Sequence, residues 1–505
     1  MALGDAGVWE RAGGYKAGRR DNRKLRSWKP GEGSPATDIL PDLPPLRGRS
    51  RDLERNHPIA RGGIQTKVNG VVGPGLTLKS TLDAKVLGLK DEDAIQAQYT
   101  LEREWELFCK GCDYTGAMHF SDLQRLIYHS ARVSGDIGIV RRFERRVGNP
   151  YGTKLVLIEA DRISNPNRVS DTPTLQGGVA LNDGRIDSYW FTDRHPGDLF
   201  GPALKWSNVP RVSADTGLPL MLLVTSEITR PGQLRGEPLF APVEEALKMI
   251  GDYSDAEVHA AVNDALLFAF EQLGANEDGE TLIDPPQTGS SVAGADEVQL
   301  EDLSITTLAN GSTINVKKPE RPNAAFGDFV NAFLQYVGAA LEIPFELLIM
   351  HFSASFSASR AALELAWKGF QVDQARLVRQ ALDPIREWQF TEMVAAGRFE
   401  AEGFFDDPIK RAAWLACQWV GPTRIQINPQ VEANADGIDI ANGVKTREQV
   451  MVERTGGNFE DKSRQVIHER EVLGVANPAP TTVQAAEEDN TGDGTDKKKG
   501  KNDGQ

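Results

Sequence analysis

The sequence predicts an α+β protein, and three observations support that prediction. Apolar residues recur at helical spacing before residue 134 and again after residue 238. Between these regions, short β-prone runs are separated by clusters of Asn, Asp, Gly and Pro, a pattern typical of antiparallel strands. The chain has 505 residues, of which 40 % are hydrophobic, so several domain-sized units can each bury a core.

The first segment, residues 1–44, is predicted to be a flexible basic arm. Seven Lys and Arg residues and one acid, Asp21, lie between Gly13 and Lys29. The sequence that follows to Pro45 is rich in Gly and Pro and has little apolar content, so it cannot bury enough surface to offset its ordering entropy. Residues 476–505 are predicted to be a disordered tail for the same reason.

Helices are predicted after the arm. One begins within residues 52–64, where Pro58 restricts it to a first turn or a kink, and the Gly- and Pro-rich residues 70–75 end it. Two more helices are predicted over residues 93–109 and 121–133, where apolar side chains share one face.

One small antiparallel sheet is predicted next, within residues 137–210. Its strands are expected at three β-prone runs, Ile137–Val140, Leu155–Ile158 and Ile186–Phe191.

The clearest helix is predicted over residues 239–273. An apolar stripe runs along it, Pro238 precedes its start and Gly274 follows its end. About 30 residues at 1.5 Å each give roughly 45–50 Å, longer than most helices of compact domains.

The remainder is predicted to be mainly helical. A helix over residues 325–342 stops before Pro344, and a Ser- and Phe-rich loop follows over 343–358. Ser357 or Ser359 is expected to cap a third helix, which runs from about residue 358 to 397 with a bend at Pro384. Two final helices are predicted at residues 431–442 and 446–472.

The net charge of −15 is concentrated in one segment. No Lys or Arg occurs among the 68 residues from Met249 to Val316, whereas thirteen Asp and Glu residues do. A solvated acidic face is one interpretation. The alternative is a surface that repels phosphate or binds a basic partner.

No catalytic site, cofactor site or metal site is predicted. The Walker A, His-Glu-x-x-His and Gly-x-Ser-x-Gly motifs do not occur in the sequence. Cys109 and Cys112 have a metal-type spacing but lack a second ligand pair, so packed or surface thiols are the preferred interpretation. The chain's three cysteines, its acidic balance and its lack of a long apolar run predict a soluble intracellular protein that does not coat nucleic acid.

Two polar clusters leave alternatives open. His351 stands in a Ser-rich stretch, so a serine nucleophile with His351 as its base is one interpretation. A nucleophile and base so close on one loop rarely share the required geometry, and a flexible loop is therefore preferred. The cluster Arg141-Arg-Phe-Glu-Arg-Arg146 either contacts phosphate or forms a solvated strand edge.

Several motifs, in the same order along residues 45–475, give the chain its resemblance to the lambda-type portal family of tailed bacteriophages. The most specific is Arg230-Pro-Gly-Gln-Leu-Arg-Gly-Glu-Pro238. The family more often has Asp where this chain has Asn428. The other matching stretches are Arg51-Asp-Leu-Glu-Arg-Asn-His-Pro58, Val71-Val-Gly-Pro-Gly75, Tyr253-Ser-Asp-Ala-Glu257, Ala339-Ala-Leu-Glu-Ile-Pro344, Ser359-Arg360, Trp419-Val-Gly-Pro422, Ile427-Asn-Pro429 and Gly443-Val-Lys-Thr446.

The resemblance implies a portal fold, with a β-rich wing, a long helical stem, a small α/β clip, a tunnel loop and a helical C-terminal crown. The implied boundaries are 45–235 for the wing, 236–274 and 323–342 for two stem helices, 275–322 for the clip, 343–358 for the tunnel loop, 359–397 for a long helix, 398–435 for a return to the wing and 436–475 for the crown.

The resemblance also implies function and partners. A ring of subunits, usually twelve, is expected at one capsid vertex, where terminase packages double-stranded DNA and the DNA later leaves. Head–tail joining and initiation of procapsid assembly are further implied roles. The implied partners are the terminase large subunit, head-completion and tail connector proteins, major capsid and scaffold proteins, and non-specifically bound DNA, without a membrane. The implied location is the virion, after assembly in the host cytoplasm.

Candidate functional residues follow from the implied architecture. Tunnel-loop candidates facing DNA are His351, Phe352, Ser353, Ser355, Phe356 and Ser357. Acidic stem candidates are Asp252, Asp255, Glu257, Asp264 and Glu271. Clip candidates for terminase docking are Glu277, Asp278, Glu280, Asp284, Asp296, Glu297, Glu301 and Asp302.

Two alternatives to a portal protein are open. Another phage head structural protein is the nearer one, but capsid subunits lack the long acidic helix and its Pro-Gly-Gln-Leu-Arg-Gly lead-in. A DNA-packaging enzyme would need an ATP-binding loop, and the Walker A lysine is missing from the sequence.

Overall fold

A computed structural model shows that helices and antiparallel strands are combined in one chain, as the α+β prediction requires. The structure describes residues 23–25, 27–198, 200–271, 297–300, 303–306, 326–351, 356–423, 429–455 and 459–473. The tail predicted at 476–505 and most of the basic arm lie outside these residues. Among the described residues, no helix is both long and apolar enough to cross a bilayer.

In the described part of the chain, six α-helices precede the two larger sheets. Pro58 lacks an amide hydrogen and occupies a first-turn position, so it begins a new helix rather than kinking one, and His57 caps that helix. Residues 1–44 are not wholly an arm, because Ser34 caps a short helix. The helices are α1 (Pro35–Ile39), α2 (Leu43–Asn56), α3 (Pro58–Val71), α4 (Ala84–Leu87), α5 (Asp91–Cys109) and α6 (Phe120–Ser134).

The predicted single sheet is two sheets. In the first, the central strand pairs antiparallel with both of its neighbours, in the order β3–β2–β8. The run Ile186–Phe191 belongs instead to a four-stranded sheet in the order β4–β5–β6–β7. The strands are β2 (Asp136–Phe143), β3 (Thr153–Glu159), β4 (Leu175–Gln176), β5 (Val179–Asn182), β6 (Arg185–Thr192), β7 (Trp206–Pro210) and β8 (Met221–Thr225).

A third strand pair joins distant parts of the sequence. Strand β1 (Thr77–Ser80) pairs antiparallel with β11 (Cys417–Val420), so that Leu78 lies opposite Trp419. The Trp419 indole packs edge-on against Trp105 at 5.5 Å between ring centroids. The predicted pattern did not include this pairing because neither strand is long enough to show alternation.

Long helices follow the sheets. Helix α7 (Glu244–Glu271) starts five residues later than predicted, and α8 (Phe326–Leu341) ends before Pro344 as predicted. The third helix, predicted to bend at Pro384, has a π-helical segment just before that proline, which stands in the first turn of the α-helix that follows. The pieces are α10 (Phe356–Leu377), a π-helical segment (Val378–Leu382) and α11 (Asp383–Ala395).

The C-terminal part is also helical. Helix α12 (Pro408–Leu415) precedes β11, and α13 (Pro429–Ala441) matches the predicted helix at 431–442. The single helix predicted at 446–472 is instead two helices, α14 (Arg447–Thr455) and α15 (Phe459–Leu473). The sequence Gly-Gly-Asn directly after α14 favours a break, since Gly propagates helices poorly.

One large core unites the helices on either side of the sheets. Ile64 on α3, Leu101 on α5, Val337 on α8 and Trp388 on α11 are all fully buried in it. The Trp388 indole also donates a hydrogen bond to the Pro219 carbonyl at 2.8 Å. A smaller core lies between the two larger sheets, and the three-stranded sheet contributes side chains to both cores.

Candidate channel and docking surfaces

Helices α7 and α8 pack against each other through aromatic rings. Tyr253 on α7 stacks on Phe326, with 5.5 Å between centroids, and meets Phe329 edge-on at 5.1 Å. Phe329 in turn contacts Phe333 at 4.7 Å. These contacts hold the two long helices together where the acidic segment begins.

The predicted acidic stem residues differ in their surroundings. Asp252 and Asp255 are exposed on α7. Asp252 forms an ion pair with Lys248 one turn earlier, so part of its charge is balanced. Glu257 is half-buried. Asp264 and Glu271 lie on α7, but their side chains are outside the described part of the structure.

Of the predicted clip residues, Glu297 lies in a described element. It begins β9 (Glu297–Leu300), which pairs antiparallel with β10 (Leu303–Thr306). The other predicted clip residues lie outside the described residues, namely Glu277, Asp278, Glu280, Asp284, Asp296, Glu301 and Asp302.

The stretch predicted as a loop at 343–358 contains helical residues at both ends. Helix α9 (Phe345–Leu348) buries Leu348, and Glu342 and Met350 on either side have positive φ angles of 55° and 54°. His351 is exposed, and its amide donates to the Glu346 carbonyl at 3.0 Å.

The remaining tunnel-loop candidates divide into two groups. Phe356 and Ser357 begin α10, so the expected capping by Ser357 or Ser359 is wrong, and Ser359 is buried inside the helix. Phe352, Ser353 and Ser355 lie outside the described residues. The early helix start has a physical reason, because Ser and Ala both tolerate helical backbone, so this Ser-rich run can continue a helix as well as cap one.

The loop from Arg230 to Pro238, between β8 and α7, is fixed by a buried ion pair. The Arg235 guanidinium donates to both carboxylate oxygens of Asp136, at 2.6 and 2.7 Å, and also to the Ile163 and Ala160 carbonyls at 2.9 Å. Asp136 is fully buried, and Arg47 on α2 approaches it to 3.3 Å. The loop therefore binds the strand region to the start of the long helix.

Two glycines allow this loop to lie against the end of α6. A Cβ on Gly236 would stand 2.0 Å from the Gly135 carbonyl oxygen, and one on Gly135 would stand 2.3 Å from the Gly236 oxygen. Gly135 also has a φ of +90°, which other residues rarely adopt. The backbones can approach this closely only because both side chains are hydrogen.

A second buried ionic cluster connects α10 to α3 and α6. Asp373 accepts a hydrogen bond from the Tyr128 hydroxyl at 2.8 Å, forms an ion pair with Arg132 and lies 3.5 Å from the Lys67 ammonium. Burial alone would raise the pKa of Asp373, but Arg132 and Lys67 hold that pKa below its usual value.

Neither ionic cluster was predicted from the sequence. Asp136 stands next to buried Ile137, and Asp373 lies at helical spacing from buried Phe370 and Leu377; these positions are the signal that could have revealed both acids. Arg47 is 89 residues and Arg235 is 99 residues from Asp136 along the chain, so no local spacing connects them.

The cysteines are packed thiols, which agrees with the preferred interpretation. Cys109 and Cys112 are buried and unbridged, and Cys417 is half-buried. Burial raises the pKa of Cys112 to about 12 and that of Cys417 to about 11. Thiols that remain protonated are poor nucleophiles and poor metal ligands.

A group of potential metal ligands was not anticipated. Glu159, Asp161 and His195 bring their ligand atoms within 4.8 Å of one another, the one such group in the described ranges. The Arg51 guanidinium already pairs with both carboxylates, at 3.1 Å from Glu159. A guanidinium between the two acids favours an ion-pair network over a metal site.

The arginine cluster at residues 141–146 lies at the end of β2 and in the turn that follows. Arg142 and Arg146 both lie over the Tyr114 ring, at 5.4 and 5.6 Å from its centroid, and Arg146 pairs with Glu144 at 3.1 Å. The structure is compatible with the interpretation as a solvated edge, and contact with phosphate stays a prediction.

Comparison with known proteins gives a family match. The family described as phage portal protein, lambda family, matches residues 21–374. Portal protein B of Escherichia phage lambda is 25 % identical over 496 residues, covering 93 % of this chain and 92 % of that protein. The portal protein of Escherichia phage N15 is 24 % identical over 502 residues and covers 94 % of each chain.

Solved structures show a weaker likeness. One is a chain from the neck of a native gene transfer agent particle computed with C12 symmetry, with a TM-score of 0.36, 11 % identity and coverage of 80 % of this chain and 92 % of that one. Another, from the neck of an empty particle computed with C6 symmetry, has a TM-score of 0.35, 12 % identity and coverage of 85 % and 94 %.

Proposed function

The chain belongs to the lambda family of phage portal proteins, and from that premise we propose how its surfaces serve DNA passage. Its function is that of a phage portal, the connector between head and tail and the channel for DNA packaging. This role is structural rather than enzymatic, as in the named relatives.

We propose that the subunits form a ring, expected to contain twelve copies, in which α7 and α8 form the stem that lines the channel. Helix α7 has 28 residues and is therefore about 42 Å long, enough for a channel wall. Its aromatic contacts with α8 support a two-helix unit that repeats around the ring. The remaining domain boundaries given above are proposed with it.

The observation that carries this proposal is the negative charge of the segment from residue 249 to residue 316. Met249 to Val316 contains no Lys or Arg, and Asp255 on α7 is an exposed carboxylate. A ring would repeat these acids, so phosphates within about 10 Å, one Debye length, would be repelled rather than held. A surface that repels phosphate suits a channel through which DNA must slide.

Partner contacts are proposed from family membership. The clip at 275–322 would meet terminase during packaging and head-completion or tail connector proteins afterwards. The tunnel loop, including exposed His351, would face DNA, and the crown would lie inside the capsid with major capsid and scaffold proteins nearby. The proposed location is the portal vertex of the virion, after assembly in the host cytoplasm.

Electron microscopy of the purified protein tests the ring directly. Negatively stained particles should be rings with a central hole. Shells would favour the alternative of another head structural protein, and monomers at all concentrations would contradict the ring. An ATPase assay on the same sample addresses the packaging-enzyme alternative, with no turnover expected.

A further inference from the structure

The turn between β2 and β3 presents two arginines in fixed positions. Arg142 and Arg145 are exposed, and each guanidinium lies over an aromatic ring, at 5.4 and 5.9 Å from the ring centroid. The adjacent acid, Glu144, pairs with Arg146 at 3.1 Å, and within the described residues no carboxylate forms an ion pair with Arg142 or Arg145. Guanidiniums that rest on rings lose little side-chain entropy on binding, so this surface is suited to bind an anionic group.

Apolar side chains beside these arginines favour a protein partner over nucleic acid. Phe143 is 60 % exposed, and Val147 is fully exposed. Arginine next to aromatic and aliphatic side chains is typical of protein interfaces, whereas a DNA backbone offers mainly phosphate and sugar. Residues 142–147 form this surface, called the arginine turn below, and its partner should carry carboxylates next to apolar side chains.

The arginine turn lies at the C-terminal end of α5. The Asn149 side chain donates a hydrogen bond to the Gly111 carbonyl at 2.9 Å, and Arg142 lies over the Tyr114 ring. Gly111 and Tyr114 follow closely after Cys109, the last residue of α5. These contacts fix the arginine turn beside that end of the helix.

The opposite end of α5 carries a matching acidic surface. The helix begins with Asp91, Glu92 and Asp93, which are exposed and do not pair with a basic side chain in the part of the chain that the structure describes. Ile95 is 39 % exposed at this end, and Val86, in the short helix just before it, is 41 % exposed. This surface, called the acidic start below, thus has the chemistry that the arginine turn requires.

The two surfaces are complementary between copies and cannot meet within one. Helix α5 has 19 residues, so its ends are about 27 Å apart, well beyond contact. Residues 142–147 contain three Arg and one Glu, a net charge of 3 − 1 = +2, and residues 90–93 contain one Lys and three acids, a net charge of 1 − 3 = −2. Opposite charges at the two ends of one helix attract when copies are arranged head to tail.

We propose that the arginine turn of one copy docks on the acidic start of the next, with Arg142 and Arg145 pairing with carboxylates of residues 91–93. Each copy then uses both surfaces, and the repeated head-to-tail contact closes into a ring. This inference rests on the ring proposed above and names the surfaces that join its subunits.

Charge reversal at the two surfaces tests the proposal. One variant carries Arg142→Glu and Arg145→Glu, and the other carries Asp91→Lys and Glu92→Lys. Each variant alone places like charges at every contact, so the fraction of subunits in rings should fall by about tenfold, as counted by negative-stain electron microscopy. An equal mixture should recover most of the rings, because alternating copies restore opposite charges at every contact.

A matched control makes the same charge change elsewhere. Arg185→Glu with Arg211→Glu alters two exposed arginines beside the four-stranded sheet and should leave the rings intact. If both reversal variants form rings alone, or if their mixture forms none, this inference is wrong, although the ring stands if the unaltered protein forms it. If the unaltered protein forms no rings, the proposed ring is wrong as well.

Zero-length carbodiimide crosslinking gives a readout that does not depend on disrupting the protein. Arg145→Lys keeps the positive charge and supplies an amine. In a mixture of isotopically labelled and unlabelled protein, mass spectrometry should find residue 145 of one chain linked to residue 91, 92 or 93 of another. Links within one chain only, or no link to these acids, would contradict the docking.

A fluorescent DNA duplex tests the competing partner. In anisotropy titrations, the variant with Arg142→Glu and Arg145→Glu should bind the duplex no more weakly than the control with Arg185→Glu and Arg211→Glu. A loss of duplex binding confined to the first variant would assign the arginine turn to nucleic acid and overturn the proposal.

Discussion

At the scale of single residues, Asp373 illustrates how buried charge connects the helices. It is 6 % exposed and contacts Tyr128, Arg132 and Lys67 from two other helices. Removing its charge leaves two buried cations without a counter-charge, and this is more costly than losing any one exposed ion pair.

Asp373→Asn should therefore lower the free energy of unfolding by about 3 kcal/mol at pH 7. The pKa of Asp373 is depressed in the folded state, so its stabilising effect is complete above its unfolded pKa and is lost as the pH falls through the folded one. Denaturant unfolding between pH 3 and 7 measures this, and the difference between the two proteins should shrink at the acid end. Asp406→Asn, at an exposed acid, is the control and should change little.

Gly236→Ala tests the contact between the 230–238 loop and the end of α6. The added Cβ would meet backbone atoms at 2.0 and 3.0 Å, so the loop must move, and a loss of about 2–3 kcal/mol is expected. Gly369→Ala on α10 meets nothing within 4 Å and should be neutral or stabilising by about 0.5–1 kcal/mol. Thermal unfolding of both variants measures the difference. Equal melting temperatures for Gly236→Ala and Gly369→Ala would show that the close contact at Gly236 does not limit stability.

At the scale of elements, the charge of α7 can be changed without disturbing the core. The hypothesis is that Asp252, Asp255 and Asp264 together keep the channel repulsive to DNA, so changing all three to Lys should slow packaging. Asp255→Lys alone is the most direct test, because Asp252 is already paired with Lys248. Asp187→Lys on β6 makes the same charge change at an exposed site away from α7. In vitro packaging rates that are unchanged in the triple variant would refute the hypothesis.

The helices were the elements that the sequence predicted best. An apolar stripe over 15 or more residues indicates a helix regardless of its partners, as α5, α6 and α8 show. The strands were harder to predict, since Ile186–Phe191 could not be assigned to a second sheet without knowing which strands it pairs with. Local sequence also does not decide whether Ser357 caps a helix or lies inside it, and α10 begins before it, at Phe356.

At the scale of the whole molecule, the motifs that indicated the family could be recognised in the sequence, but the contacts that these motifs make could not be predicted from it. The Arg230–Pro238 stretch was recognised as a pattern, but its role depends on Asp136, which is 99 residues from Arg235. Glu244, at the start of α7, is similar, because its burial is visible only once α2 packs beside it. The sequence thus shows where the acids lie along the chain, but it does not show which of them form ion pairs in the fold.

The pairing of β1 with β11 also sets an order of events during synthesis. Residues 77–80 must wait for residues 417–420, about 340 residues later, before their backbone hydrogen bonds can form. At roughly 5–20 residues per second this delay is about 17–70 seconds on the ribosome. The β1–β11 pair therefore cannot form until most of the chain has left the ribosome. Subunits should accordingly join one another only after translation is nearly finished.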